Sequence, residues 1–216
     1  MTMPRSLEPA HRIASMQHIA RLLLLVFACS VRAETLPLHD GDIVFQTSQA
    51  AQSLAVQKAT GSRYSHMGII ILREGKPFVF EVAHTVQYTP LNNWIARGFG
   101  GHFVAKRLQD AEEILTSAGI ARLHEAARKF EGRPYDLTFE WSDDRIYCSE
   151  LVWKIYQRGL GIRIGELQKI KQFNLTDPAV KKKLQERYGE HIPLEEPVIS
   201  PASMFESPRL VTVREK

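Results

Sequence analysis

Three side chains of this protein could do chemistry together: the thiol of Cys148, the imidazole of His66 and the carboxylate of Glu81. A thiolate attacks a carbonyl, an imidazole moves the proton, and a carboxylate behind the imidazole fixes its tautomer; together these steps make and break a thioester. Cys148 stands where the polar run Asp143-Asp144-Arg145 gives way to Leu151, Val152, Ile155, Tyr156 and Leu160, which are apolar residues at helical spacing. Gly159 and Gly161 are the stop signals. The spacing predicts Cys148 in or just before the first turn of a helix. Unpaired N–H groups and the positive end of the dipole favour an anion there, which suits a nucleophilic thiol. The plainer alternative is a small core residue, since free cysteine is among the most buried types.

Placing the imidazole falls to a hairpin. Residues 64–72 and 77–84 are rich in β-branched and aromatic side chains and flank Arg73-Glu74-Gly75-Lys76, so two antiparallel strands joined by a two- or four-residue turn are expected. That register sets Gly68 opposite Glu81 and His66 opposite Ala83, and puts His66, Gly68, Ile70 and Leu72 on one face with Val79 and Glu81. His66 and Glu81 become diagonal neighbours roughly 7 Å apart at the backbone, with Gly68 leaving the space between them open. A carboxylate in a strand reading Phe-Val-Phe-x-Val is costly unless paired. The alternative is a solvated edge carrying an unrelated His and Glu; a three-residue loop would move Glu81 to the other face. His84 and His102 are further candidate bases, but no register gives either a carboxylate.

The chain has 216 residues, 44% hydrophobic and 24% charged, enough for one globular core. Arg21, the apolar run 22–28 and a Val31-Arg32-Ala33 ending form a secretory signal pattern. Residues 1–33 are therefore read as a signal peptide, with Met16 as the alternative start, and residues 34–216 as one domain with a proline-rich tail. The apolar run is too short to span a bilayer. A competing reading makes Cys29 the acylated residue of a lipoprotein, although Phe27 is bulky for that motif. Signal cleavage removes Arg5, Arg12, Arg21, Arg32 and Glu8, so the net charge falls from +4 to about +1 and no basic footprint for nucleic acid remains. It also removes Cys29, leaving one thiol in an oxidising periplasm where structural cysteines come in pairs. That favours a functional Cys148 over a structural one.

Elsewhere, Asp42 closes a turn before a strand at 43–46, and residues 48–59 read as a helix capped by Ser48 and stopped at Gly61. A strand is expected at 102–108 and a helix at 117–130. Residues 178–188 form a charged helix whose Lys181-Lys182-Lys183 is a solvated face, with weak association to anionic cell-wall polymer or lipid as the minor alternative. Pro193, Pro197, Pro201 and Pro208 suggest an extended tail over the domain before a last strand at 210–213. No metal-ligand spacing and no phosphate-binding glycine loop occurs, so no metal and no cofactor is expected.

The strings GDIVF, SHMGIII, PFVFE, GRPYD and WSDDRIYCSELVWKIYQ, with the proline-rich tail, resemble the YiiX group of circularly permuted, NlpC-like papain-fold cysteine hydrolases. The resemblance spans the whole chain after the signal segment. It implies an α+β, permuted papain-like fold in which an antiparallel sheet or small barrel carrying the His packs against a helix carrying the Cys. By position it assigns Cys148 as nucleophile, His66 as base and Glu81 as the orienting residue. Pro134-Tyr135 resembles a Pro-Tyr pair before the nucleophile of unpermuted relatives, so Tyr135 is expected to contact substrate or oxyanion; the alternative is a half-buried tyrosine capping the core. Glu150 is read as structural.

Relatives in the wider superfamily cleave peptide amides of peptidoglycan, and permuted ones transfer lipid acyl chains. The leading expectation is a periplasmic cysteine amidohydrolase acting on peptidoglycan peptides. An acyltransferase or lipid hydrolase is the second, to be told apart by a greasy channel near Cys148, and an inactive binding module is the third.

Overall fold

A computed structural model describes residues 37–216. The expected signal segment and Cys29 lie outside the described residues. The strands are β1 (Ile43–Gln46), β2 (His66–Arg73), β3 (Lys76–Val82), β4 (Val86–Pro90), β5 (Val104–Leu108) and β8 (Leu210–Glu215), all antiparallel in the order β4-β3-β2-β1-β5-β8. The sheet is open, and β6 (Gln168–Lys169) and β7 (Pro197–Val198) form a separate pair. The helices are α1 (Ser53–Thr60), α2 (Leu91–Ala96), α3 (Ala111–Ile114), α4 (Ser117–Arg128), α5 (Cys148–Leu160), α6 (Pro178–Tyr188) and α7 (Pro201–Phe205).

The hairpin register is the expected one. Ile69 faces Phe80 and Ile70 faces Val79 across β2 and β3, and Glu74 and Gly75 form a two-residue turn with φ of +52° and +72°. Two successive positive φ angles match the strand twist, and glycine takes the second at little cost. Both faces of the sheet are covered. On one, Phe45, Met67, Ile69 and Phe80 pack with Leu151, Val152 and Ile155 of α5. On the other, Val44, Ile70 and Val79 pack with Leu91 and Trp94 of α2. Each such aliphatic burial contributes about 1.5–3 kcal/mol.

Four expectations need correction. The helix expected from residue 48 begins at Ser53, because the Ser48 hydroxyl accepts from the Ala50 N–H and makes a local turn instead. Gly159 does not end α5; it lies inside it, where a Cβ would meet the Leu123 backbone at 3.1 Å, and Gly161 in the left-handed region is the cap. The space beside Gly68 is not open, since a Cβ there would lie 2.4 Å from Val79 Cγ1 and 3.2 Å from Glu81 Cβ. The tail is more regular than an extended segment: Pro201 starts α7, with the Ser200 hydroxyl accepting from the Ser203 N–H.

Candidate active site

Cys148 is the first residue of α5, following Tyr147 in an extended conformation, and is 5% exposed. Its surroundings are fixed from both sides. The Ser149 hydroxyl donates to the Ile199 carbonyl, and the Ile199 N–H donates to the Tyr147 hydroxyl, so the tail straps the start of the helix. Upstream, the Asp136 and Ile146 N–H groups donate to the Ile146 and Pro134 carbonyls respectively, while the Tyr135 N–H donates to the His84 carbonyl. Tyr135 is thereby held between the turn that follows β3 and the residues just before Cys148.

His66 opens β2 and is 14% exposed at its side chain. Its Nε2 lies 2.6 Å from Glu81 Oε2, which leaves Nδ1 for the nearby Cys148 thiol. Burial alone would lower the imidazole pKa. The interactions with Cys148 and Glu81 and the charges of both outweigh it and push the value up from 6.5 to about 9. Glu81 has no solvent exposure. Its Oε1 accepts from the Thr89 hydroxyl at 2.6 Å and from the Arg97 guanidinium. Burial would raise this carboxyl, but the His66 hydrogen bond and charge, Thr89 and Arg97 hold it below its ordinary value. The Trp94 ring stacks on the imidazole with centroids 6.1 Å apart.

Thr89, Arg97 and Trp94 were not found from sequence. Thr89 had a signal: it faces Val79 across the β3–β4 ladder, on the side that carries Glu81. Arg97 had none, since it follows a six-residue helix and meets Glu81 only in three dimensions.

The Tyr135 hydroxyl accepts from Gln52 Nε2 at 2.5 Å, and Gln52 Oε1 accepts from the Arg187 guanidinium. Burial, then the nearby Cys148, raise the Tyr135 phenol far above its ordinary value, so it remains a neutral donor. Of the alternative bases, His84 is exposed, and His102 stacks on Tyr64 with Nε2 3.9 Å from Glu215. Asp42 is buried under a bidentate Arg107 contact and accepts from the His39 N–H, so it serves the turn. Glu150 is fully buried 2.7 Å from Lys154 Nζ; burial pushes it up to about 7 despite the lysine.

Two cavities meet at this site. A cleft of about 740 Å³ is lined by His66, His84, Arg97, Gln46, Ser48 and Gln49. A smaller one of about 100 Å³ has Cys148 in its wall, with Val56, Ala59, Phe173, Val180 and Leu184. Gln52, Ser65 and Tyr135 line both.

A family model described as permuted papain-like amidase enzyme, YaeF/YiiX, C92 family, matches residues 37–214. The chain is 48% identical over 193 residues to a protein of Escherichia coli strain K12 described as uncharacterized protein YiiX, covering 89% of this chain and 94% of that one. It superposes with a TM-score of 0.79 and 49% identity on a crystal structure described as metalloprotein YiiX from Escherichia coli O157:H7, covering 82% of this chain and 97% of the other. Among the described residues here, no group of three or more His, Cys, Asp or Glu side chains is arranged to hold a metal ion.

Proposed function

Because the chain belongs to the C92 family of permuted papain-like amidase enzymes, the YaeF/YiiX family, we propose that it hydrolyses amide bonds through a thioester on Cys148. The observation that carries this is the Glu81-backed imidazole beside the thiol of Cys148 at a helix N-terminus. The Cys148 thiolate adds to the carbonyl carbon, and the His66 imidazolium gives its proton to the leaving amine as the C–N bond breaks. Water activated by the neutral imidazole then cleaves the thioester, and the proton returns to the Cys–His pair. The Cys148 backbone N–H and the Tyr135 phenol, held by Gln52, are the donors offered to the oxyanion. Glu81 positions His66 and favours its charged form.

Peptide amides of peptidoglycan, met in the periplasm after export, are the substrate of this reading. The polar residues of the larger cleft and the signal pattern of residues 1–33 support it. Digestion of purified sacculi by wild type and Cys148→Ala tests it. Thiol-dependent release of new peptides is expected, whereas no release by an enzyme that alkylates rapidly at Cys148 sinks the substrate and spares the chemistry. Hydrolysis or transfer of lipid acyl chains is a second reading, favoured by one observation: the smaller cavity at Cys148 is almost wholly apolar.

A further inference from the structure

Arg187 stands at the end of α6 and reaches the surroundings of Cys148 through another side chain. Its guanidinium donates to Gln52 Oε1, and the same amide, through Nε2, donates to the Tyr135 hydroxyl at 2.5 Å. Gln52 precedes α1, which packs against α6. The guanidinium carbon lies 4.6 Å from the Phe139 ring centroid, and the neighbouring Tyr188 hydroxyl donates to the Thr138 carbonyl, so the end of α6 grips the segment just after Tyr135. No ion pair among the described residues includes Arg187; Glu186 beside it pairs with Lys183. A half-buried guanidinium is thus aimed at a neutral amide rather than at a carboxylate.

This run of hydrogen bonds has a direction. A guanidinium has no acceptor, so the end of the Gln52 amide that meets it must be the oxygen. The NH2 end is then the one at Tyr135, where the phenol oxygen accepts. A hydroxyl that accepts there keeps its own proton for another partner. Tyr135 lines both the cleft that holds His66 and the cavity that holds Cys148, so the proton is offered where a tetrahedral oxyanion would form. With the amide turned over, its oxygen would take the phenol proton and the donor would be lost.

We propose that Arg187 is a positioning residue for the oxyanion donor: it fixes the Gln52 amide so that the Tyr135 proton is left for the oxyanion. This rests on the thioester reading with Tyr135 as a donor, and names what sets the direction of that donor.

Two probes of Cys148 separate this role from a purely structural contact. With 4-nitrophenyl acetate the S–C bond forms through a tetrahedral oxyanion and 4-nitrophenolate leaves; with iodoacetamide sulfur displaces iodide directly and no oxyanion forms. In Gln52→Glu the carboxylate keeps Arg187 as its partner, and so the packing of α1 on α6, but gives Tyr135 an acceptor that takes its proton. Acylation should fall at least about fivefold, as for loss of an oxyanion donor, with alkylation within about twofold of wild type. Arg187→Met should lower acylation in the same selective way, and Arg187→Lys, which restores a donor, should recover part of the loss. Added to Tyr135→Phe, neither Gln52→Glu nor Arg187→Met should change the ratio of the two rates further. Equal acylation in Gln52→Glu and wild type, where Tyr135→Phe lowers it, overturns the role of Arg187 and leaves the Tyr135 donor standing. No loss in Tyr135→Phe overturns the donor and the role of Arg187 together. A parallel fall of both rates in Gln52→Glu places the effect on the thiol itself and also overturns the proposal. Gln52→Glu decides the matter even where Arg187→Met fails to fold.

Discussion

His66 Nε2 lies 2.6 Å from Glu81 Oε2, and the second oxygen of that fully buried carboxylate is held by Thr89 and Arg97. Three hydrogen bonds thus fix the carboxylate behind the imidazole. The ring has one nitrogen committed and the other free to face Cys148, whichever way the proton moves in the reaction.

Replacing Glu81 by Gln keeps the shape and removes the charge. Turnover of any amide substrate should fall on the order of 10²-fold or more, while thermal unfolding stays cooperative. Unchanged turnover would move the orienting role to another residue.

The pH profile carries a sign that follows from the raised imidazole. The proton given to the leaving amine is present below about pH 9 and lost above it, so kcat/KM should show an alkaline limb near that value. In Glu81→Gln, which loses one of the two partners that raise His66, the limb should move to lower pH. Stability follows the same group: a folded-state value raised from 6.5 to about 9 gives stabilisation that is full below pH 6.5 and lost as pH climbs through 9. Thermal melts across that window measure the loss. An alkaline limb close to the ordinary imidazole value in wild type would contradict the paired arrangement.

Gly68 is crowded, with Val79 Cγ1 2.4 Å from where a Cβ would stand and the Phe80 carbonyl 2.9 Å away. Gly68→Ala should cost about 1–3 kcal/mol by overpacking and should spread β2 from β3 where His66 meets Glu81. Denaturant melts and turnover should fall together; a variant that is destabilised yet fully active would separate the strand packing from the site.

Tyr135 and Gln52 make a hydrogen-bonded pair beside the thiol. Tyr135→Phe should lower kcat by at least about tenfold with KM little changed, as for loss of an oxyanion donor, and Gln52→Ala should lower it by letting the phenol turn. A rise in KM alone would make Tyr135 a binding residue instead.

The face shared by His66 and Glu81 was legible because a two-residue turn admits one register and strand side chains alternate; nothing beyond residues 66–81 was needed. The start of α5 was legible from its apolar spacing and the polar run before it. Gln52 was not, because it reaches Tyr135 across 83 positions of sequence and sits at a helix start that Ser48 seemed to claim. Gly159 misled for a related reason: the same residue that ends helices also permits the close approach of α4 and α5. The apolar cavity had no local signal at all, since its wall is assembled from α1, α6 and the tail, which read alone as a short helix, a charged helix and an extended segment.

The central claim is that Cys148 is a nucleophile activated by His66, and the rate of its alkylation by iodoacetamide at neutral pH tests this most directly. The account predicts labelling of Cys148 clearly faster than that of a free cysteine thiol, and a marked slowing in His66→Ala. Labelling no faster than free cysteine in the folded wild-type protein would contradict it.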